Sequence, residues 1–169
     1  MKTIIFASVF LISIYSVAQS QVEVTHDGGD KILKGIFTKQ QLSQDTAFKW
    51  YTQNQSGYTP PADAVTAFKS KGNQVQVIAF GGTWCVDTKY IFPKFFSILE
   101  ASAFPSDHLT LVGVDRNKKT IGHLAEALNV INVPTFIVLK DGKEVGRVVE
   151  YGKAGQWDKE LGDILKSVK

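Results

Sequence analysis

Apolar side chains follow two different patterns along the chain, and the change between them falls near residue 75. Between residues 38 and 71 they recur every three or four positions, which is typical of two amphipathic helices. Thr38 and Gln41 form the pattern of a capping box at the start of the first helix, and two prolines precede the second. Residues 22–33 are polar and lack a period, so we predict a tail or an edge segment there.

After residue 75 the apolar residues form short runs of strand length that alternate with helical stretches. Parallel strands that are joined through helices form a central sheet with helices on both faces. The pattern therefore predicts an α/β fold, a three-layer α/β/α sandwich with a central mixed sheet, preceded by an N-terminal helical extension. The predicted elements are strand 75–80, helix 83–101 kinked at Pro93, strand 109–114, helix 120–128, a hairpin of strands 135–139 and 144–149 that turns at Asp141-Gly142, and helix 156–167.

The first eighteen residues have the features of a signal peptide. Lys2 precedes an apolar stretch over residues 4–17, and Ser16 and Ala18 form a small-x-small cleavage pattern. An uncleaved anchor is the alternative, but the stretch is shorter than the roughly 20 apolar residues that cross a membrane. We expect the protein to be exported, periplasmic or secreted, with no stable membrane anchor after cleavage. The expected division is a signal peptide 1–18, a tail and helical extension 19–72, and a main domain 73–169.

Composition and charge argue against several classes of function. The 169 residues carry a formal net charge of +3 and their basic residues are scattered, so no nucleic-acid partner is expected. His26, His108 and His123 lie far apart and show no metal-ligand spacing, so we expect neither a metal nor another cofactor. We expect a monomer with a single compact domain.

Cys85 is the one cysteine of the chain, so no internal disulfide can form. It follows a predicted buried strand and opens the next helix, where the amide groups and the dipole of a helix N-terminus favour a thiolate. Lys89, one turn further along, would add to this effect, whereas Asp87 would oppose it. A free cysteine can equally be a small buried hydrophobic residue, and position alone does not separate these two readings.

Two motifs give the chain a family resemblance. The sequence Trp-Cys-Val-Asp-Thr-Lys at residues 84–89 resembles the Trp-Cys-x-x-Cys-Lys segment of thioredoxins, and Val-Pro-Thr at residues 133–135 resembles the loop in which that family has a cis proline. The resemblance covers residues 75–169 and implies a thioredoxin-like fold in which Cys85 is the catalytic nucleophile. The residues that it implies for the substrate groove are Trp84, Val133, Pro134 and Thr135.

The sequence departs from the thioredoxin pattern at three positions. Thr88 stands where thioredoxins have the second cysteine, so one molecule cannot release a mixed disulfide by itself. Ala79 and Leu111 stand where the family usually has a buried aspartate and its partner lysine. The Thr88 hydroxyl lies one helical turn from the sulfur, and we expect it to donate a hydrogen bond to the thiolate.

The resemblance and these departures leave two functional hypotheses. The first is a thiol-disulfide oxidoreductase that acts through Cys85 alone on protein disulfides or thiols, or on a small-molecule thiol, and needs an external thiol to resolve the mixed disulfide. Both reduction and isomerisation of disulfides fit that hypothesis. The second is a non-catalytic peptide-binding module of the same fold, in which the cysteine is vestigial.

Overall fold

The computed structural model describes residues 21–169, so the predicted signal peptide lies outside the described residues. Within that range, no helix combines the length and the apolar character that crossing a membrane requires. The strands are β1 (Val22–Asp27), β2 (Asp30–Phe37), β3 (Gln76–Gly81), β4 (Leu109–Gly113), β5 (Thr135–Lys140) and β6 (Lys143–Val149). The helices are α1 (Lys39–Ser43), α2 (Trp50–Gln55), α3 (Ala62–Lys71), α4 (Val86–Ser102), α5 (Leu124–Ala127) and α6 (Trp157–Lys166), with single 3-10 turns between some of them.

The six strands form one mixed sheet in the order β1-β2-β4-β3-β5-β6. β3 and β4 are parallel, and every other neighbouring pair is antiparallel. Because α4 connects the two parallel strands, the carboxyl end of β3 leads directly into the turn that carries Cys85. The thioredoxin-like α/β fold expected from the sequence is therefore confirmed.

β2 is the strand that the pattern of apolar residues missed. Leu33, Gly35 and Phe37 alternate along this strand and are all buried. Gly35, the middle one, interrupts the apolar alternation in the sequence. Gly35 pairs with Gly113 on β4, and its φ of +109° and an ideal Cβ only 2.2 Å from the Gln21 carbonyl oxygen leave no room for a side chain. The predicted tail or edge segment, residues 22–33, contains β1, an edge strand that pairs only with β2, and also the first four residues of β2.

Two buried clusters cover the two faces of the sheet unequally. The larger core joins α1, α2, α3, α4 and α6 to one face, and its strand residues include Ala79, Leu111 and Phe136. The smaller core lies on the other face and includes Phe80, Val112 and Ile137, whose side chains alternate with those of the larger core, together with Ala125 of α5. Helices cover both faces as predicted, but only the four-residue α5 lies on the smaller core.

Two predicted helices are interrupted. The Thr38–Gln41 capping box is present, but the first helix breaks after Ser43 because the Asp45 carboxylate accepts a hydrogen bond from the Ala47 amide at 2.9 Å and starts a 3-10 turn. The helix predicted over residues 120–128 is correct only for its last turn, because Gly122 and His123 have φ values of +68° and +55°. The helix predicted from residue 83 begins at Val86 and continues through Pro93, and the kink there stays a prediction.

Candidate active site

Cys85 lies at the point where β3 gives way to α4, as its sequence position suggests. It is the N-cap residue of α4, with extended backbone angles, and its side chain is half-buried. Its amide donates to the Gly82 carbonyl at 2.8 Å, and its carbonyl accepts from the Lys89 amide at 3.0 Å. These two hydrogen bonds hold the backbone of Cys85 at the N-terminus of α4, and the side chain packs against the smaller core.

The proline loop lies directly opposite the sulfur. The Val133–Pro134 peptide bond is cis, as the resemblance implies. The Cys85 thiol donates a hydrogen bond to the Val133 carbonyl, with 3.2 Å between Sγ and the oxygen. On the other side of the loop, the Glu150 amide donates to the Pro134 carbonyl at 2.7 Å, and the Thr135 hydroxyl donates to the Asn132 carbonyl at 2.7 Å. The structure thus brings the cysteine and the proline loop into direct contact.

Trp84 forms one wall beside the cysteine. Its indole N–H donates to the Val114 carbonyl at 3.0 Å, and its ring packs so closely on Gly82 that a Cβ there would lie 2.6 Å from a ring atom. The guanidinium carbon of Arg116 and the ammonium of Lys118 lie 5.4 and 5.9 Å from the centre of the indole ring. The ring is half-buried, so one part remains available at the surface.

Thr88 does not occupy the role predicted for it. Its side chain is 1% exposed, and its hydroxyl oxygen accepts a hydrogen bond from the Gly82 amide at 3.2 Å. Among the hydrogen bonds of the described residues, none joins this hydroxyl to Cys85. The predicted bond to the sulfur is therefore not formed, and the hydrogen bond that the structure shows for this hydroxyl is the one from the Gly82 amide in the turn after β3.

Asp87 and Lys89 both have partners that are distant in sequence. The Lys89 ammonium lies 2.8 Å from an Asp30 carboxylate oxygen, and the Asp87 carboxylate accepts a hydrogen bond from the Tyr151 hydroxyl at 3.0 Å. Desolvation, and then the Asp87 carboxylate, raise the pKa of Tyr151 to about 12. No local sequence pattern indicated that Asp30 or Tyr151 lies near the site, because the folding of distant segments brings each of them there.

Two aliphatic side chains beside the cysteine are exposed to an unusual degree. Val86, which directly follows Cys85, is 75% exposed, and Ile131, just before the proline loop, is 77% exposed. The Tyr90 and Tyr151 rings, with centroids 6.2 Å apart, are partly exposed as well. Exposed apolar groups that surround a reactive group are typical of a surface that contacts a partner.

A metal site is not formed by the part of the chain that the structure describes. Between residues 21 and 169, no group of three or more histidine, cysteine, aspartate or glutamate side chains is arranged to hold an ion.

The thioredoxin family model matches residues 63–162 of the chain. The chain belongs to the thioredoxin family. Thioredoxin H2-2 of Oryza sativa subsp. japonica is 36% identical over 83 residues, which are 49% of this chain and 58% of that protein. A thioredoxin of Geodia cydonium is 35% identical over 89 residues, 53% of this chain and 78% of that protein. The crystal structure of reduced Schistosoma mansoni thioredoxin pre-protein is 28% identical with a TM-score of 0.42, and the match covers 66% of this chain and 95% of that one.

The region that the thioredoxin family model matches does not include the whole fold. The match begins inside α3 and leaves out β1, β2, α1 and α2. The chain also spans less than two thirds of the length of the Oryza thioredoxin H2-2. The unmatched N-terminal elements nevertheless contribute two of the six strands and the residue Asp30 beside the site.

Proposed function

We propose that the protein is a thioredoxin-family thiol-disulfide oxidoreductase that acts through Cys85 as its single nucleophile. The observation that carries this proposal is the 3.2 Å contact between the Cys85 sulfur and the carbonyl of Val133, next to the cis proline. An extended chain that lies along this loop would present its own sulfur to Cys85. The exposed side chains of Val86 and Ile131 flank that position.

The reduction has three exchange steps. In the first, the Cys85 thiolate attacks a substrate disulfide, so that a new Cys85–sulfur bond forms, the substrate disulfide breaks, and the departing thiolate takes a proton from water. In the second, the thiolate of an external thiol attacks the Cys85 sulfur of the mixed disulfide, so that the substrate leaves as a dithiol and Cys85 becomes disulfide-bonded to the external thiol. In the third, a second molecule of the external thiol attacks that disulfide and releases Cys85. The substrate gains two electrons, and the two external thiols are oxidised to their disulfide. Isomerisation follows the same first step when the departing thiolate of the substrate attacks again.

The substrates that we propose are disulfides or thiols in extended protein segments, with a small-molecule thiol as the resolving agent. The apolar surface formed by Val86, Tyr90, Ile131 and Tyr151 supports an apolar residue next to the substrate cysteine. We also propose that the mature protein acts after export, because residues 1–18 have the pattern of a cleaved signal peptide. We propose a monomer as its active form.

A peptide-binding module without turnover is the second candidate. Two observations favour it: the Thr88 hydroxyl is engaged by the Gly82 amide, and Ala79 and Leu111 are packed in the larger core, where thioredoxins usually have a proton-transferring pair. In this case the same surface would hold a peptide while Cys85 stays unreacted.

A turnover assay separates these two functions. A peptide that contains one disulfide is incubated with glutathione, and its reduction is followed with wild type, Cys85→Ser and Thr88→Cys. We expect the wild type to accelerate reduction above glutathione alone, and Cys85→Ser to abolish the acceleration. Thr88→Cys supplies a resolving thiol in the chain and should shorten the lifetime of the mixed disulfide seen by mass spectrometry. Equal peptide binding by wild type and Cys85→Ser, with no mixed disulfide and no acceleration, would support the binding module instead.

A further inference from the structure

The β1–β2 hairpin, which lies outside the region that the thioredoxin family model matches, contacts the active-site turn, the start of α4 and the loop after β4. The first contact is through Thr83, which is 3% exposed. Its hydroxyl accepts a hydrogen bond from the Leu33 amide at 3.2 Å and donates one to the Lys31 carbonyl at 2.8 Å. Because β4 pairs with β2 only as far back as Gly35, this hydroxyl satisfies β2 groups that lie beyond the end of the ladder.

The second contact is made by the Asp30 carboxylate at the start of β2. One of its oxygens lies 2.8 Å from the Lys89 ammonium in the first turns of α4, and the other lies 2.7 Å from the Arg116 guanidinium in the loop after β4. The third contact is a second ion pair, in which Asp27 holds Arg116 at 2.9 Å. The hairpin turn therefore binds two cationic side chains. Lys89 is the cationic residue nearest to Cys85 along the chain, and Arg116 lies over the indole ring of Trp84.

The positions of these cations relative to Cys85 give the contacts a chemical consequence. Lys89 lies in the first turn of the helix that Cys85 caps, and its amide donates a hydrogen bond to the Cys85 carbonyl at 3.0 Å. Arg116 lies over the indole ring of Trp84, the residue before Cys85. A cation close to a sulfur stabilises its thiolate, and a carboxylate bound to that cation reduces the effect.

We propose that the β1–β2 hairpin positions the active-site turn, and that Asp30 is the positioning residue that sets the reactivity of Cys85 by neutralising Lys89 and Arg116. This inference rests on the proposed role of Cys85 as a nucleophile. Asp30 does not touch the sulfur and acts through Lys89 and Arg116. Asp30, at the hairpin turn, thus offsets the positive charge of Lys89 and Arg116.

The test measures the rate at which iodoacetamide alkylates Cys85 in the folded protein at pH 7 and low ionic strength. We expect Asp30→Asn to raise the rate about threefold, because Lys89 and Arg116 then stabilise the thiolate without a carboxylate that offsets their charge. Lys89→Gln should lower the rate by a similar factor, and Asp30→Asn combined with Lys89→Gln should return it to within about twofold of wild type. Asp30→Glu keeps the charge and should leave the rate near that of wild type. Added salt should shrink the increase, since it screens exposed charges.

Asp63→Asn is the matched control, because it removes a carboxylate that pairs with Lys166 at 3.3 Å, on α3 and α6. It should leave the alkylation rate unchanged. Circular dichroism confirms that each variant is folded, and Lys89→Gln tests the pair from the helix side if Asp30→Asn does not fold. An unchanged rate in both single variants, or an equal increase in Asp63→Asn, would overturn the inference. Alkylation needs no disulfide substrate, so failure of the turnover assay alone would overturn only the proposed function.

Discussion

The two faces of the sheet differ in how they are held together. The larger core is an aromatic cluster under five helices, in which the Phe95 and Phe136 rings have centroids 4.5 Å apart and Trp157 stacks on Phe136 at 5.8 Å. The smaller core has the short α5 and the proline loop over it, and the Cys85 turn is fixed there by hydrogen bonds and ion pairs. Stability is therefore concentrated on one face, and the other leaves a cysteine accessible.

The largest effect on stability should come from the larger core. Phe136→Ala should reduce the free energy of unfolding by about 3–5 kcal/mol, because it removes a fully buried ring that contacts three others. Ile137→Val, the next residue on the same strand but in the smaller core, should cost about 0.5–1.5 kcal/mol. Urea unfolding measures both. A loss below about 2 kcal/mol for Phe136→Ala would contradict the concentration of stability on this face.

The next effect concerns the turn that joins the site to the hairpin. Thr83→Val should cost about 1–3 kcal/mol, because the Leu33 amide and the Lys31 carbonyl lose their buried partner. Thr83→Ser keeps the hydroxyl and serves as the control, with a smaller expected loss. A loss in Thr83→Ser with no loss in Thr83→Val would mean that the methyl group of Thr83, and not its hydroxyl, provides the stabilisation.

A smaller effect depends on pH. Lys89, and then Arg116, hold the pKa of the Asp30 carboxyl below 3.8, so the folded state binds this proton less readily than the unfolded chain does. The stabilisation is complete well above that value and is lost as the pH falls through and below it. At pH 6, Asp30→Asn should cost at most about 1 kcal/mol, because the ion pair is partly exposed. Urea unfolding at pH 3 should show a smaller difference, and an equal difference at both values would refute the ion-pair explanation.

The smallest effect on stability should come from the apolar surface of the site. Val86→Ser and Ile131→Ser should change the free energy of unfolding by about 0.5 kcal/mol or less, since both side chains are mostly exposed. They should nevertheless slow mixed-disulfide formation with an apolar peptide several-fold. Val24→Ser on β1, 48% exposed and away from Cys85, is the control that should leave that rate unchanged.

Much of the fold was predictable because its signals are local. The capping box at Thr38, the apolar runs of β3, β4 and β5, and the Asp141-Gly142 turn each lie within a few residues of the element that they specify. β2 was missed because Gly35 interrupts its alternation, and the need for that glycine comes from the backbone of Gln21 and the pairing with Gly113. A requirement of that kind exists only once the strands have assembled.

The candidate site was likewise predictable only where its signals are local. Cys85, Trp84 and Pro134 could be named from two short motifs, and the structure brings them together. Thr88 was assigned the wrong partner, because the direction of the Gly82 amide depends on the turn after β3. Asp30 and Tyr151 could not be placed near the cysteine from the sequence, and the hydrogen bonds of Thr83 to β2 could not be foreseen, since the partners of these residues lie 50 or more residues away.

By itself the sequence determined the order of most elements, the family resemblance and the single thiol, because periodicity, turn chemistry and residue identity are properties of short segments. The tertiary structure alone decided the environment of that thiol. Charge and hydrogen bonding act through space, so the carboxylate beside Lys89, the carbonyl facing the sulfur and the exposed side chains around it are set by how distant segments pack.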